Sequence, residues 1–280
     1  MPYQLIDFDE KLAEYMHSWM QAHRGDYQKI EEMEADVPAA TIRWLNEPAG
    51  WLGGKAPGRY FDDFSDGAEL TGWMLAYIES GVSVPGPLLD RIAALGQAAP
   101  LVSYLRQALA EPVRGKQAEA AMTCISLLMQ MESDEAAGLY IDYIVKAGDS
   151  DEVADAASEA LCQLPQARDA MIEALDRPMG EAARTALLDA LVHLPPHPAV
   201  YRWLKRMFME TEQQKALYAS YLGKYGDDEA VGLLLQAAQE PELNYLEYLE
   251  IRNAIEALGG ECTVERTFDG DRYYESMKGI

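Results

Sequence analysis

Basic residues, cysteines and strand-forming runs are all scarce in this chain of 280 residues. Lys and Arg number 23 against 47 Asp and Glu, which leaves a net charge of −24. So acidic a chain repels phosphate backbones, which speaks against nucleic acid as a partner, and it is a poor match to an anionic membrane surface. The three cysteines, Cys124, Cys162 and Cys262, are an odd number at wide spacing. They make neither a disulfide framework nor a zinc pattern and suit a reducing, cytoplasmic setting. Four histidines, His17, His23, His193 and His197, form no HExxH motif and no His/Cys cluster in the sequence. Neither a metal nor a cofactor is therefore expected. No apolar run approaches the ~18–20 residues that a membrane span requires. The opening MPYQLIDFDE lacks the basic and apolar regions of a signal peptide, so none is expected.

What is present is a core-forming composition, 49% hydrophobic and 25% charged, enough for one long domain or two ordinary ones. Before residue 260 apolar residues recur at i, i+3, i+4 and i+7, the spacing of one helix face. Segments ending IAALGQ, LLMQME, LCQLPQ, LVHLPP, LGKYGD and IEALGG repeat along the chain. Anchored on Leu95, Met131, Leu164, Leu194, Tyr225 and Leu258, they follow at intervals of 36, 33, 30, 31 and 33 residues. Three residues before the anchors stand Ile92, Leu128, Leu161, Leu191, Leu222 and Ile255; seven before stand Leu88, Cys124, Ala157, Leu187, Tyr218 and Ile251. These positions make one apolar stripe on a first helix. Six and ten residues after the first five anchors lie Leu101 and Leu105, Ala137 and Ile141, Ala170 and Ala174, Val200 and Leu204, and Val231 and Leu235. They predict a second helix with a matching apolar face. Such a hairpin cannot bury both faces alone and must stack on its neighbours.

Helix starts account for much of the acidity. Asp149 with Glu152, and Thr211 with Gln214, have capping-box spacing. Ser133 and Asp227 precede acidic first turns. Pro165 and the pair Pro195–Pro196 follow helix ends. The stretch Asp149–Asp155 has a calcium-loop look, but it lacks the Gly at the sixth position and the Glu at the twelfth, so capping explains it better.

Hairpins of this length and patterning resemble the HEAT-like repeats of armadillo-type α-solenoids, over about residues 86–260. The resemblance implies an all-α fold: an α-solenoid of stacked antiparallel helical hairpins. Residues 1–85 would form an N-terminal helical cap, with helices at about 8–23 and 26–46, the second broken or restarted at Pro38. Four of the five tryptophans, Trp19, Trp44, Trp51 and Trp73, lie in this region. Within residues 40–61, Trp44, Leu45, Pro48, Leu52, Gly53, Gly54 and Pro57 match a WL-x-x-P…L-G-G-x-x-P pattern. The segment is locally similar to the toxin-binding domain of Xre-type antitoxins, and is read as a shared way to end one helix and start another. Residues 261–280 make a short β-prone tail, in which Asp269–Gly270 signals a hairpin turn.

Candidate chemistry is thin. Gly53-Gly54-Lys55 is no phosphate loop, because Ala56 stands where Ser or Thr is needed and no strand precedes it. Asp62, Asp63, Asp66 and Glu69 flank a helix start and read as caps. His17 and His23 fall on different helix faces. Ser126 and Cys124 have no histidine within sequence reach. Met122, Met129, Met131, Met171 and Met207 sit on helical stripes and read as core. No nucleophile–base–orienter set is evident, and no catalysis is expected.

One surface stands out. Nine and twelve residues after the anchors lie Tyr104 and Gln107, Tyr140 and Tyr143, Glu173 and Asp176, Trp203 and Arg206, and Leu234 and Ala237. In solenoids the second helices line the concave face, and Tyr, Trp and Arg anchor interfaces. Tyr104, Tyr140, Tyr143, Trp203 and Arg206 are therefore expected to bind a protein or peptide partner. A basic partner is favoured, because the net charge would steer it in. The alternative is that these aromatics fill contacts between repeats. Two rival functions are a regulatory antagonist, antitoxin-like or an acidic decoy, and an enzyme. Some HEAT-like solenoids resemble DNA glycosylases or bilin lyases, but charge opposes the first and no ligand set supports the second.

Overall fold

The computed structural model describes residues 3–211, 214–226 and 228–278. They hold fifteen α-helices and no strand. No helix among them is long and apolar enough to cross a membrane. The chain divides into two compact units, Met1–Leu139 and Tyr140–Ile280.

In the first unit α1 (Phe8–His23) and α2 (Ile30–Asn46) are followed by an irregular stretch with two short 3-10 turns, Gly50–Leu52 and Pro57–Arg59. Next come α3 (Gly67–Ser80), α4 (Gly86–Leu95), α5 (Ala99–Ala108) and α6 (Lys116–Gln130). The core of residues 3–80 is aromatic. Phe8 meets Trp44, Trp51, Tyr60 and Phe61, and Trp73 meets Tyr3, Tyr60, Phe61 and Phe64, all with ring centroids 5.1–6.4 Å apart. Edge-on pairs such as Phe61–Trp73, at 84°, suit the ring quadrupoles. The extended chain before α1 is tied to α3. Tyr77 Oη accepts from the Ile6 amide and donates to the Ile6 carbonyl, both at 3.0 Å, and Trp73 Nε1 donates to the Gln4 carbonyl at 3.3 Å. The Gly53–Gly54 pair turns the chain with φ of 65° and 90°, a region that disfavours any side chain. Further along, α6 packs on α3, α4 and α5.

Helix α7 (Ala137–Lys146) runs across the division between the units. The second unit continues with α8 (Glu152–Leu161), α9 (Arg168–Ala174), α10 (Glu181–Val192), α11 (Pro198–Glu210), α12 (Lys215–Tyr225), α13 (Ala230–Ala237), α14 (Tyr245–Ala257) and α15 (Arg272–Lys278). Here α8 packs on α10, α10 on α12, and α12 on α14, while α11 packs on α10 and α12, and α13 on α14. The α12–α14 approach is close enough to require glycine: a Cβ on Gly223 would stand 2.7 Å from Ala254 Cα.

The residues three and seven before each anchor, from Leu88 and Ile92 to Ile251 and Ile255, are at most 2% exposed; of the anchors themselves Leu164, Leu194 and Tyr225 are buried, while Leu95, Met131 and Leu258 are half-buried. The second helices follow the expected register only in part. Leu101, Leu105, Val200 and Leu204 are buried as expected. Beyond Met131, Ile141 is buried as expected, but Ala136 and Tyr140 are core as well and Ala137 is only half-buried; beyond Tyr225 the core residues are Ala230 and Leu234, one position early. Beyond Leu164, Ala170 is exposed and Ala167, Met171 and Ala174 are buried. One residue of offset turns a helix face by about 100°, enough to exchange core for surface.

Other local expectations need correction. Pro38 does not break α2, which runs through it. The Glu34 carbonyl left without a proline N–H lies on an exposed turn, where water can serve it. Helix α8 is capped by Asp151, whose carboxylate accepts from the Val153 and Ala154 amides, not by Asp149. Gln214 at the start of α12 makes no side-chain cap, and its amide oxygen accepts instead from Thr185 Oγ1 at 3.1 Å. Asp227 lies outside the described residues. The tail forms no strand among the described residues. After the Asp269–Gly270 turn, Asp271 takes the amides of Tyr273 and Tyr274 on one oxygen and that of Tyr245 on the other, and so starts α15. These N–H donors hold its carboxyl below the usual range. Phe268 lies buried against Tyr245 and Tyr248 of α14.

Candidate functional site

Of the five aromatic and arginine positions expected to bind a partner, Tyr140 and Tyr143 belong to the core, at 1% and 2% exposed. The shifted register of α7 turns them inward. Tyr143 keeps its hydroxyl satisfied by donating to Asp151 at 2.9 Å. Leu234 and Ala237 are buried for the same reason. In the first unit Tyr104 is half-buried, which pushes its phenol pKa up, and Gln107 is exposed.

On α11 the expected register holds, so Trp203 and Arg206 come to its outer flank. Trp203 is half-buried between two guanidiniums, with Arg184 of α10 at 5.7 Å and Arg206 at 5.1 Å from its ring. Arg206 also donates to the Glu210 carboxylate at 3.1 Å. One turn away, Lys205 lies 5.0 Å from the Tyr201 ring. Arg202 and Met209 are exposed, Met209 at 62%. Beside them opens a cleft of about 740 Å³ whose lining includes His197, Tyr201, Arg202, Lys205, Asp228 and Glu229. This flank therefore gathers Arg184, Arg202, Lys205 and Arg206 on a chain that is otherwise strongly acidic. Such cations and rings offer stacking and charge-assisted hydrogen bonds to a ligand.

In the first unit a cleft of about 350 Å³ runs beside Tyr15, Trp44, Pro48 and Trp51. Asp66 caps α3 through the Ala68 amide at 2.9 Å, and Asp63 pairs with Lys55, as structural carboxylates would. Cys124 is fully buried, and its thiol is pushed up to about 12 by that burial.

The second unit also brings together Cys162, Asp189 and His193, whose ligand atoms all lie within 4.8 Å of one another. The sequence scan missed this cluster because Cys162 and His193 stand 31 residues apart. A signal existed: 31 is close to the repeat interval, and Asp189 and His193 are four apart on one helix face.

A comparison of the chain with known protein families, curated proteins and solved structures finds no match in any of the three.

Proposed function

We propose that the chain is a non-catalytic scaffold or adaptor of HEAT-like repeats that binds a protein or peptide partner. The solenoid reading is supported by the uninterrupted first-helix core and by the succession α8, α10, α12, α14. Cross-helix bonds at near-repeat separations support it further. Cys162, His193 and Lys224 follow at 31-residue steps, with Cys162 Sγ 3.8 Å and Lys224 Nζ 2.6 Å from the imidazole. Thr185 and Tyr218 bond at 3.0 Å across 33 residues.

The observation that carries the binding reading is Trp203, half-buried with the Arg184 and Arg206 guanidiniums 5.7 and 5.1 Å from its ring, on the helix whose Tyr201, Arg202 and Lys205 line the cleft. A rigid aromatic flanked by arginines and rimmed by polar groups has the makeup of an interface hot spot. The net charge of −24 steers a basic partner towards the molecule. The segment that settles on α11 itself presents apolar or carboxylate groups to Arg202, Lys205 and Arg206. The test is capture from a native lysate with the intact chain and with a Trp203→Ala/Arg206→Ala double variant. Loss of a salt-sensitive partner by the variant, with its helical circular dichroism unchanged, is the expected result. Equal capture by both removes α11 as the binding face.

A further inference from the structure

We propose that Cys162, Asp189 and His193 form a binding site for a thiophilic divalent cation, of which Zn²⁺ is the best fit. One ligand atom from each residue lies within 4.8 Å of the others. Tetrahedral zinc with bonds of about 2.0–2.3 Å sets its ligands about 3.3–3.8 Å apart, so side-chain rotation closes the set. The Cys162 Sγ stands 3.8 Å from His193 Nδ1, so thiol and imidazole already lie side by side, and with Nδ1 on the Asp189 carbonyl the nitrogen left to ligate is Nε2. Thiolate, imidazole and carboxylate together select zinc or cobalt over magnesium and calcium. Water would complete the fourth position.

The surroundings favour a cation. Cys162 and His193 are the C-cap residues of α8 and α10, and Lys224 lies in the last turn of α12. Helix C-termini carry partial negative charge. Asp189 already has an outer hydrogen-bond partner in the Tyr221 phenol. His193 Nδ1 bonds the Asp189 carbonyl at 2.8 Å, which fixes the ring. Hydrogen bonds of both kinds orient metal ligands. Binding exchanges the Cys162 thiol proton, released to water, for a metal–sulfur bond.

Lys224 competes for the site. Its Nζ stands 2.6 Å from His193 Nε2, so the exposed lysine must swing out when a cation binds. This gives the site a signature that a mere hydrogen-bonded ladder lacks. Chelator-treated full-length protein is titrated with Co²⁺, and thiolate-to-cobalt charge-transfer absorption is followed, with Zn²⁺ competition to rank the two ions. The expected result is a band saturating at one equivalent and displaced by Zn²⁺. Cys162→Ser abolishes it, Cys262→Ser retains it, and Lys224→Ala tightens binding severalfold. Asp189→Asn weakens it by more than about tenfold, the lower bound for losing even an outer partner. Absence of the band in the intact chain overturns the proposal. So does a band that survives Cys162→Ser while circular dichroism shows that variant folded.

Discussion

Residues 3–80 and residues 181–258 bury their apolar side chains by different means. The first stretch gathers Phe8, Trp44, Phe61 and Trp73 into one aromatic cluster around an irregular segment, and no position recurs at a fixed interval. The second buries Leu187, Leu191, Tyr218, Leu222, Ile251 and Ile255, which recur at near-constant sequence intervals on the alternate helices α10, α12 and α14. A cluster concentrates its stabilisation in a few large rings, each burying much area. A repeat spreads it over many equivalent contacts between neighbours. The first arrangement should therefore fail at single residues, and the second by increments.

The largest effect is expected where the cluster is thinned. Trp73→Ala removes a ring that touches Tyr3, Tyr60, Phe61 and Phe64 and leaves the Gln4 carbonyl without its donor. It should cost about 3–5 kcal/mol in denaturant unfolding. A loss below about 1 kcal/mol would mean that the cluster is not the core of that region. Leu161→Ala and Leu191→Ala open cavities at 0% and 1% exposed positions and should each cost about 2–5 kcal/mol. Surface-like costs at both would show that the stripe register is wrong.

A smaller effect concerns the tail. Three backbone amides favour the charged form of Asp271, so its pKa lies below the ordinary 3.8. Its contribution to docking α15 is complete above that ordinary value and is lost as pH falls through the lowered one. Amide chemical shifts of Tyr245, Tyr273 and Tyr274 should report a shared midpoint below 3.8. A midpoint at or above that value would mean that the cap is not formed. The smallest effect is expected at Ala170, exposed where its counterparts Leu101 and Val200 are 0% exposed. Ala170→Glu should shift stability by no more than about 0.5 kcal/mol, while Val200→Glu should unfold the unit.

The contrast between the two stretches also governs how far the structure could be read from the sequence. The i, i+4 pairs of the first-helix stripe were legible, because six copies are hard to mistake, while the anchors Leu95, Met131 and Leu258 proved only half-buried. The second helices were not, because their faces depend on loop length. The connection after Met131 differs in length from the one after Leu95, and Tyr140 and Tyr143, supposed binding residues, are core. Helix propensity misled at Pro38, where α2 continues on an exposed face. Turn chemistry misled at Asp269–Gly270, because Asp271 directly behind it caps a helix. The Cys162 cluster escaped notice because its members are joined by the packing of α8 on α10, not by sequence spacing. Trp203 and Arg206 stay off the core, as expected, because α11 keeps the expected register.

The central claim is that α11 offers a surface where α7 offers none. It is tested most directly by equilibrium unfolding of Tyr140→Ala and Trp203→Ala side by side. Tyr140 is 1% exposed, while Trp203 is half-buried with the Arg184 and Arg206 guanidiniums 5.7 and 5.1 Å from its ring. The expected result is a loss of about 3–5 kcal/mol for Tyr140→Ala, the range for a buried aromatic, and about 1 kcal/mol for Trp203→Ala. Equal losses would place Trp203 among the core residues and contradict the assignment of α11 as a binding face.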